Sequence, residues 1–349
     1  MPITRKRPQH VCWPLLLGVA LGCALGDPGL WGDAFFGVAS GQGTTGTPLG
    51  LPTLGGKQFW SDQLLFHRWR IQENVLTGHC RLLDEQDYRR ATGTFTDCRK
   101  AFETLRQELA IEPMANRVVI VLHGLGRSRQ SMAGIVKYLG DHSDYTVLNV
   151  AYASTRARIG EHAKGLARVV DQLPANVTEV NFVAHSMGNL VIRHYLGDLL
   201  ADRDPQHRDR INRLRRTVML APPNRGAMLA KRFQANPVFR VFWGISGREI
   251  ANWETLAPRL AIPPIPFGIV AGGAGKAGGR NPLIKGDDDF VVGVAETQLA
   301  GARDFIVVLA PHAVIMDSAE AQAATLRFLE HGYFVSADKA QPIAPALKP

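Results

Sequence analysis

The sequence predicts an α/β protein with a mostly parallel sheet that carries helices on both faces. From Arg117 onward, short apolar runs rich in β-branched residues alternate with amphipathic stretches of helical spacing. Strands that are apolar throughout belong to sheets covered on both sides. The predicted strands are Val118–Leu122, Thr146–Val150, Val180–Ala184, Thr217–Leu220, Phe267–Val270 and Phe305–Leu309. The predicted helices lie at about 129–140, 158–173, 187–200 and 319–330.

The composition is that of an ordinary globular protein. Of 349 residues, 46% are apolar and 20% charged, which suffices for a full core in one or two domains. The formal net charge is +9. Removing residues 1–26 takes away three positive charges and no negative one, which leaves +6. This mild excess gives no reason to expect a nucleic-acid partner.

The first 26 residues are typical of an export signal. Basic residues at positions 5–7 precede an apolar run at 11–25, and no acidic residue occurs before Asp27. The run is short for a membrane span, which needs about 20 residues. We therefore expect an exported protein, either secreted, periplasmic or membrane-anchored. Three fates stay open, namely cleavage before Asp27, lipidation of Cys23 or retention as an anchor.

Composition divides the remaining chain into four parts. Residues 27–56 are rich in Gly and Thr and are interpreted as a linker. Residues 57–110 form an N-terminal extension that is polar and is predicted to be largely helical. The apolar residues of Ala101–Leu109 have the clearest helical spacing. The α/β domain is assigned to residues 111–335, and residues 336–349 are interpreted as a tail.

Two of the four cysteines, Cys80 and Cys98, lie outside the export segment. An oxidising compartment would make them a disulfide candidate that closes a short loop. Two buried free thiols are the alternative.

Ser186 is the candidate nucleophile. It stands in Ala-His-Ser-Met-Gly, between the predicted strand Val180–Ala184 and a helical run. A serine on such a turn is lifted above the sheet, and the tight bend requires small residues two positions away on either side. Ala184 and Gly188 meet that requirement. The alternative is a serine that merely caps a helix.

Backbone N–H groups near this serine would bind a developing oxyanion. The sequence His123-Gly124-Leu125-Gly126 directly follows the first predicted strand, where glycine-rich backbone can turn an N–H toward the site. The expected donors are Leu125 and Met187, the residue after the nucleophile. We expect His123 to be a packed or loop-bonding histidine.

His312 is the candidate base. Only His312 and His331 follow Ser186 by enough chain to allow an acid loop and a last strand between them. His331 ends a helical run and is expected on the surface, whereas His312 follows the last predicted strand on a loop. A neutral imidazole would accept the serine proton.

The acid is expected in Asp287-Asp288-Asp289, after the predicted strand Phe267–Val270. One carboxylate must orient the imidazole and stabilise its charged form. The residues alone leave open which aspartate does so. A calcium site is the other interpretation, but this single cluster lacks the ligand spacing of a calcium loop, and no metal is expected.

Four motifs together resemble the α/β-hydrolase family, in particular its bacterial lipase and esterase branch: HGLG, AHSMGN, DDDFVV and PHAVIM. The resemblance covers roughly Arg117 to Tyr333. It implies an α/β-hydrolase fold with a cap-like insertion after the family's sixth strand. The family's acid motif, Asp-Gly-x-Val, aligns on Asp289 and puts Phe290 in the place of its glycine. The implied triad is Ser186, Asp289 and His312.

The function expected from these residues is hydrolysis of a carboxylic ester by the triad through an acyl-enzyme, without any cofactor. Residues 227–262 contain several aromatic side chains that suit either an acyl chain or a helical core: Phe233, Phe239, Phe242, Trp243 and Trp253. The expected substrate is a small-molecule or lipid ester, with association at a membrane surface as an option. Thioesterase, amidase or acyltransferase activity and an inactive binding module are the alternatives.

Overall fold

The computed structural model describes residues 57–201, 205–233 and 235–345. The predicted export segment 1–26 and linker 27–56 lie outside these residues. In the described part of the chain, no helix is long and apolar enough to cross a membrane.

The N-terminal extension is mainly a β-sheet, so its predicted helical character is wrong for most of its length. An antiparallel sheet is built from β1 (Trp60–Phe66), β2 (Trp69–Asn74), β3 (Cys80–Leu83) and β4 (Arg89–Gly93). The helix α1 (Phe95–Glu108) follows and contains most of the predicted helical stretch.

Buried polar side chains explain why the strands were missed. Asp62 is 2% exposed, and its carboxylate accepts hydrogen bonds from Arg70 Nη1 at 3.1 Å and Gln72 Nε2 at 2.8 Å. Charged and amide side chains on buried strand positions disrupt the apolar alternation by which a half-buried strand is recognised.

The two cysteines of this region are buried free thiols. Cys80 lies on β3 and Cys98 on α1, both in the hydrophobic core. Burial raises the pKa of the Cys80 thiol to about 11. The structure therefore has the free-thiol arrangement that the sequence left open.

The main sheet has six parallel strands, and each overlaps its predicted run. They are β5 (Arg117–Leu122), β6 (Thr146–Val150), β7 (Glu179–His185), β8 (Leu214–Leu220), β9 (Phe267–Gly272) and β10 (Asp304–Val308). Their order across the sheet is β10-β9-β8-β7-β5-β6. The predicted parallel sheet is confirmed.

Helices cover both faces of this sheet, as predicted. The helices that follow α1 are α2 (Ala133–His142), α3 (Ile159–Asp171), α4 (Met187–Ala201), α5 (Pro205–Arg213), α6 (Met228–Phe233), α7 (Pro237–Ala251), α8 (Trp253–Leu256), α9 (Val294–Thr297) and α10 (Ala319–His331). Val118, Ile120 and Leu122 pack with α3 and α4, whereas Val119 and Val121 pack with α2 and α10. Successive strand residues face opposite sides, so β5 contributes to both cores.

The N-terminal sheet shares its core with the main sheet. Buried residues of β1, β2, β3 and α1 belong to the same hydrophobic cluster as α3 and α4. The backbone N–H of Asp62 donates to the carbonyl of Ala151 at 2.9 Å, just beyond β6, and the Ala151 N–H donates to the Asp62 carboxylate at 2.7 Å. Strand β1 is thus fixed directly against the chain that leaves β6.

Candidate active site

Ser186 occupies a strained turn between β7 and α4. Its φ is 52°, a left-handed value that non-glycine residues rarely adopt. The backbone N–H of Ser186 donates to the carbonyl of Leu220 at 2.9 Å, and the Asn189 side-chain amide donates to the carbonyls of Ala184 and Ser186, both at 3.1 Å. These bonds hold the turn without using the serine hydroxyl.

Close approach of backbone explains Gly188. A Cβ atom at this position would lie 2.8 Å from the carbonyl oxygen of His123 and 3.0 Å from that of Leu122. Any larger residue would push the first turn of α4 away from the end of β5. The nucleophile turn and the loop after β5 are therefore held side by side.

The structure brings Ser186, His312 and Asp289 into one hydrogen-bonded series. His312 Nε2 lies 3.0 Å from Ser186 Oγ, and His312 Nδ1 lies 2.7 Å from Asp289 Oδ2. The His312 backbone N–H also donates to the Asp289 carbonyl at 2.8 Å. Ser186 is half-buried and Asp289 is fully buried, so the series leads from an accessible hydroxyl to an enclosed carboxylate.

The three consecutive aspartates have different partners. Asp287 accepts from the backbone N–H groups of Ala274 and Gly275. Asp288 accepts from three backbone N–H groups, those of Arg280, Asn281 and Phe290. Asp289 alone reaches His312. Among the described residues, no cluster of His, Cys, Asp or Glu is arranged to hold a metal ion.

The Asp289 carboxylate is fixed from both sides. While Oδ2 faces His312, Oδ1 accepts from the backbone N–H groups of Val291 at 3.0 Å and Val292 at 2.7 Å. Phe290 between them has φ 85°. The chain therefore adopts, with phenylalanine, the left-handed backbone that the glycine of the related motif adopts readily.

Leu125 and Met187 place two N–H groups at the carboxyl end of the sheet. Leu125 lies in the loop after β5, and Met187 is the first residue of α4. In the described part of the chain, neither of these N–H groups has a hydrogen-bond acceptor. Free backbone N–H groups at this end of the sheet are the kind of donor that an oxyanion requires.

Buried neutral histidines surround the site. Burial and the nearby His312 hold the pKa of His185 well below its usual value. His185 Nε2 donates to the carbonyl oxygen of His312 at 2.9 Å. Burial lowers the pKa of His123 to about 4, and its ring stacks on Tyr152. His123 is thus a packed histidine, and His331 is exposed at the end of α10, as expected for both.

Two supporting residues were missed in the sequence. His185 contacts the backbone of His312, and Asn189 holds the turn that carries Ser186. Both lie within the motif AHSMGN, so their position was known, but a motif does not tell which neighbouring carbonyl groups a side chain reaches.

The insertion between β8 and β9 contains α6, α7 and α8. The Ile245 N–H of α7 donates to the Thr155 carbonyl at 2.9 Å, and Ser246 Oγ donates to the Ala157 carbonyl at 2.7 Å. Trp253 packs against the main core. The side chains of Phe239 and Phe242 lie outside those that the structure describes.

No protein-family model matches the chain, and no curated protein matches it. Solved structures that it resembles include Bacillus licheniformis lipase BlEst2 in mature form, at 14% identity over 63% of this chain and 94% of that chain, with a TM-score of 0.48. Phospholipase PlaB from Legionella pneumophila gives 16% identity over 62% and 57% of the two chains, with a TM-score of 0.44. The metagenomic carboxyl esterase MGS0156 gives 17% identity over 57% and 66%, with a TM-score of 0.40.

The sheet topology itself defines the fold class. The parallel strands, with Ser186 after β7, Asp289 after β9 and His312 after β10, have the arrangement of an α/β-hydrolase. The chain has the α/β-hydrolase fold.

Proposed function

We propose that this protein is a serine hydrolase that cleaves carboxylic esters through an acyl-enzyme. The observation that carries the proposal is the series Ser186–His312–Asp289, with distances of 3.0 and 2.7 Å. A serine hydroxyl becomes an effective nucleophile when a neutral imidazole accepts its proton and a carboxylate stabilises the imidazolium. His312 is within hydrogen-bond reach of both Ser186 and Asp289, one on each ring nitrogen.

The proposed reaction has two halves. Ser186 Oγ attacks the ester carbonyl while His312 Nε2 takes its proton, and the N–H groups of Leu125 and Met187 bind the oxyanion. His312 then donates the proton to the leaving alcohol, which leaves an acyl group on Ser186. In the second half, His312 activates a water molecule that releases the acid. Asp289 stabilises the imidazolium in both halves, and no step requires a cofactor.

The insertion between β8 and β9 brings apolar side chains to the loop that carries Leu125. A Cβ atom on Gly247 of α7 would lie 3.3 Å from Leu125 Cδ2, so the insertion reaches the loop that carries an oxyanion donor. Gly247 lies beside both Leu125 and Trp243, and apolar side chains next to the loop that carries Leu125 favour an acyl or lipid ester over a small polar ester.

A panel of esters with short to long acyl chains, together with matched thioesters and amides, tests the proposal. We expect turnover of oxygen esters, with kcat/KM rising from acetyl to longer acyl groups, and covalent labelling by a fluorophosphonate probe. Labelling without turnover of any oxygen ester would show that Ser186 is reactive but that the substrate has another leaving group, or that the acyl group is transferred to an acceptor other than water. Absence of both would favour the binding-module alternative.

We further propose that the protein is exported, on the evidence of residues 1–26 alone. Mass spectrometry of protein from its native host should find an N-terminus near Asp27, a lipidated Cys23 or an intact chain in the membrane fraction. A full-length chain in the soluble cytosol would contradict export.

A further inference from the structure

We propose that Gln58 is a positioning residue for the oxyanion hole, so that the N-terminal region forms part of the active site. The inference rests on the proposed function. Gln58 lies in the 3₁₀ turn Lys57–Phe59, immediately before β1, and its side chain is half-buried. It lies outside the part of the chain that resembles the hydrolase family.

The side-chain amide of Gln58 forms hydrogen bonds to two loops, the one after β5 and the one after β6. Its Nε2 donates to the carbonyl oxygen of Arg127 at 2.7 Å, at the end of the loop that carries Leu125. Its Oε1 accepts from Ser154 Oγ at 3.2 Å and from the Thr155 N–H at 3.3 Å, in the chain that follows β6. The orientation of the amide is fixed, because a carbonyl can only accept and a backbone N–H can only donate.

Ser154 links Gln58 to the loop that carries Leu125. Its hydroxyl donates to Gln58 and accepts from the N–H of Gly126 at 3.1 Å, and the side chain is fully buried. Gly126 directly follows Leu125. Two peptide groups that follow the expected oxyanion donor are therefore held by Gln58: the one after Arg127 directly, and the one between Leu125 and Gly126 through Ser154.

Strand β1, which begins two residues after Gln58, is anchored independently of the Gln58 side chain. The Asp62 N–H bonds to the Ala151 carbonyl, and the Ala153 N–H donates to Ser61 Oγ at 3.2 Å. Asp62 itself is buried and paired with Arg70. Loss of the Gln58 amide should thus leave β1 in place while it releases the oxyanion loop.

The same chain after β6 supports the insertion. Thr155, whose N–H reaches Gln58, accepts from Ile245 of α7 through its carbonyl. A Cβ atom at Gly244 would overlap that carbonyl oxygen, so α7 can approach only because glycine is present. Gln58 therefore lies at the junction of the N-terminal region, the oxyanion loop and the segment on which α7 rests.

An oxyanion donor stabilises mainly the transition state, so its displacement should lower kcat and leave KM nearly unchanged. Loss of one such donor typically lowers kcat by 10² to 10³, and displacement of the loop should cost less. For Gln58→Met, which keeps the length of the side chain, we expect kcat to fall about 10- to 100-fold with KM little changed. The inhibition constant of an alkyl trifluoromethyl ketone, whose tetrahedral adduct uses the oxyanion hole, should rise in parallel.

Gln58→Glu separates the two halves of the amide. The carboxylate keeps an acceptor for Ser154 and Thr155 but turns a second acceptor toward the Arg127 carbonyl. We expect it to be impaired at least as much as Gln58→Met, whereas a role limited to the Ser154 side predicts nearly full activity. Should Gln58→Met fail to fold, Gln58→Glu carries the test. Gln107→Met, an exposed position on α1, is the matched control.

All variants are measured as the full chain on an ester that the wild type cleaves, beside Ser186→Ala. Inactive Ser186→Ala with fully active Gln58 variants would overturn this inference and leave the proposed function intact. A raised KM with unchanged kcat and unchanged ketone inhibition would overturn it as well. Full turnover by Ser186→Ala would overturn both.

Discussion

Replacement of Ser186 by alanine is expected to lower kcat for ester hydrolysis by about 10⁶-fold, the effect of removing the nucleophile from a serine-protease triad. The hydroxyl oxygen, 3.0 Å from His312 Nε2, is the atom that would form the acyl-enzyme. Without it, no covalent intermediate forms, and the remaining rate comes from binding and the oxyanion donors.

Folding of Ser186→Ala should be nearly unchanged. The turn is held by the Ser186 N–H bond to Leu220 and by the Asn189 amide, neither of which involves the hydroxyl. The measurements are steady-state kinetics, fluorophosphonate labelling and thermal unfolding. Ser143→Ala is the matched control, because Ser143 directly follows α2 and its hydroxyl donates only to the carbonyl of Leu139 within that helix, near the start of β6. Substantial ester turnover by folded Ser186→Ala would remove Ser186 from the mechanism.

Replacement of Asp289 by asparagine should cost about 10⁴ in kcat at neutral pH. The amide oxygen can keep the two hydrogen bonds from Val291 and Val292, which places the amide NH₂ opposite His312 Nδ1. Nδ1 must then accept rather than donate, so the imidazole proton moves to Nε2. That nitrogen faces Ser186 and can no longer take its proton.

The neighbouring aspartates supply controls of identical chemistry. Asp287→Asn and Asp288→Asn should keep kcat within about tenfold, since neither carboxylate bonds to His312. Asp288→Asn should unfold more easily, because the buried carboxylate accepts three backbone N–H groups and hydrogen bonds to charged groups are worth roughly 1.5–3 kcal/mol each. Kinetics and thermal unfolding of the three variants separate the two roles. An inactive Asp288→Asn together with an active Asp289→Asn would show that Asp288, and not Asp289, is the carboxylate that orients His312.

The main sheet could be predicted because its strands are buried on both faces. Such strands are continuous apolar runs, and the six runs between Val118 and Leu309 coincide with β5 to β10. The positions of Ser186 and His312 follow from the same regularity, since functional residues in parallel sheets come after the carboxyl ends of strands.

The N-terminal region could not be predicted in this way. Its strands contain buried partners such as Asp62 and Arg70, whose pairing depends on the folded hairpin. Gln58 is separated in sequence from the loops it contacts, Arg127 by 69 residues and Ser154 by 96. No local pattern marks a glutamine for such a role.

Phe290 shows how a site can be present where its sequence signature is absent. A bulky residue at φ 85° is strained by roughly 1–3 kcal/mol, and hydrogen bonds from its N–H to Asp288 and from Asn281 to its carbonyl oppose that strain. Hydrogen bonds from neighbouring residues therefore impose the backbone conformation that a glycine would adopt without strain. A search pattern that demands Asp-Gly would pass over this chain, although the carboxylate stands where that pattern would put it.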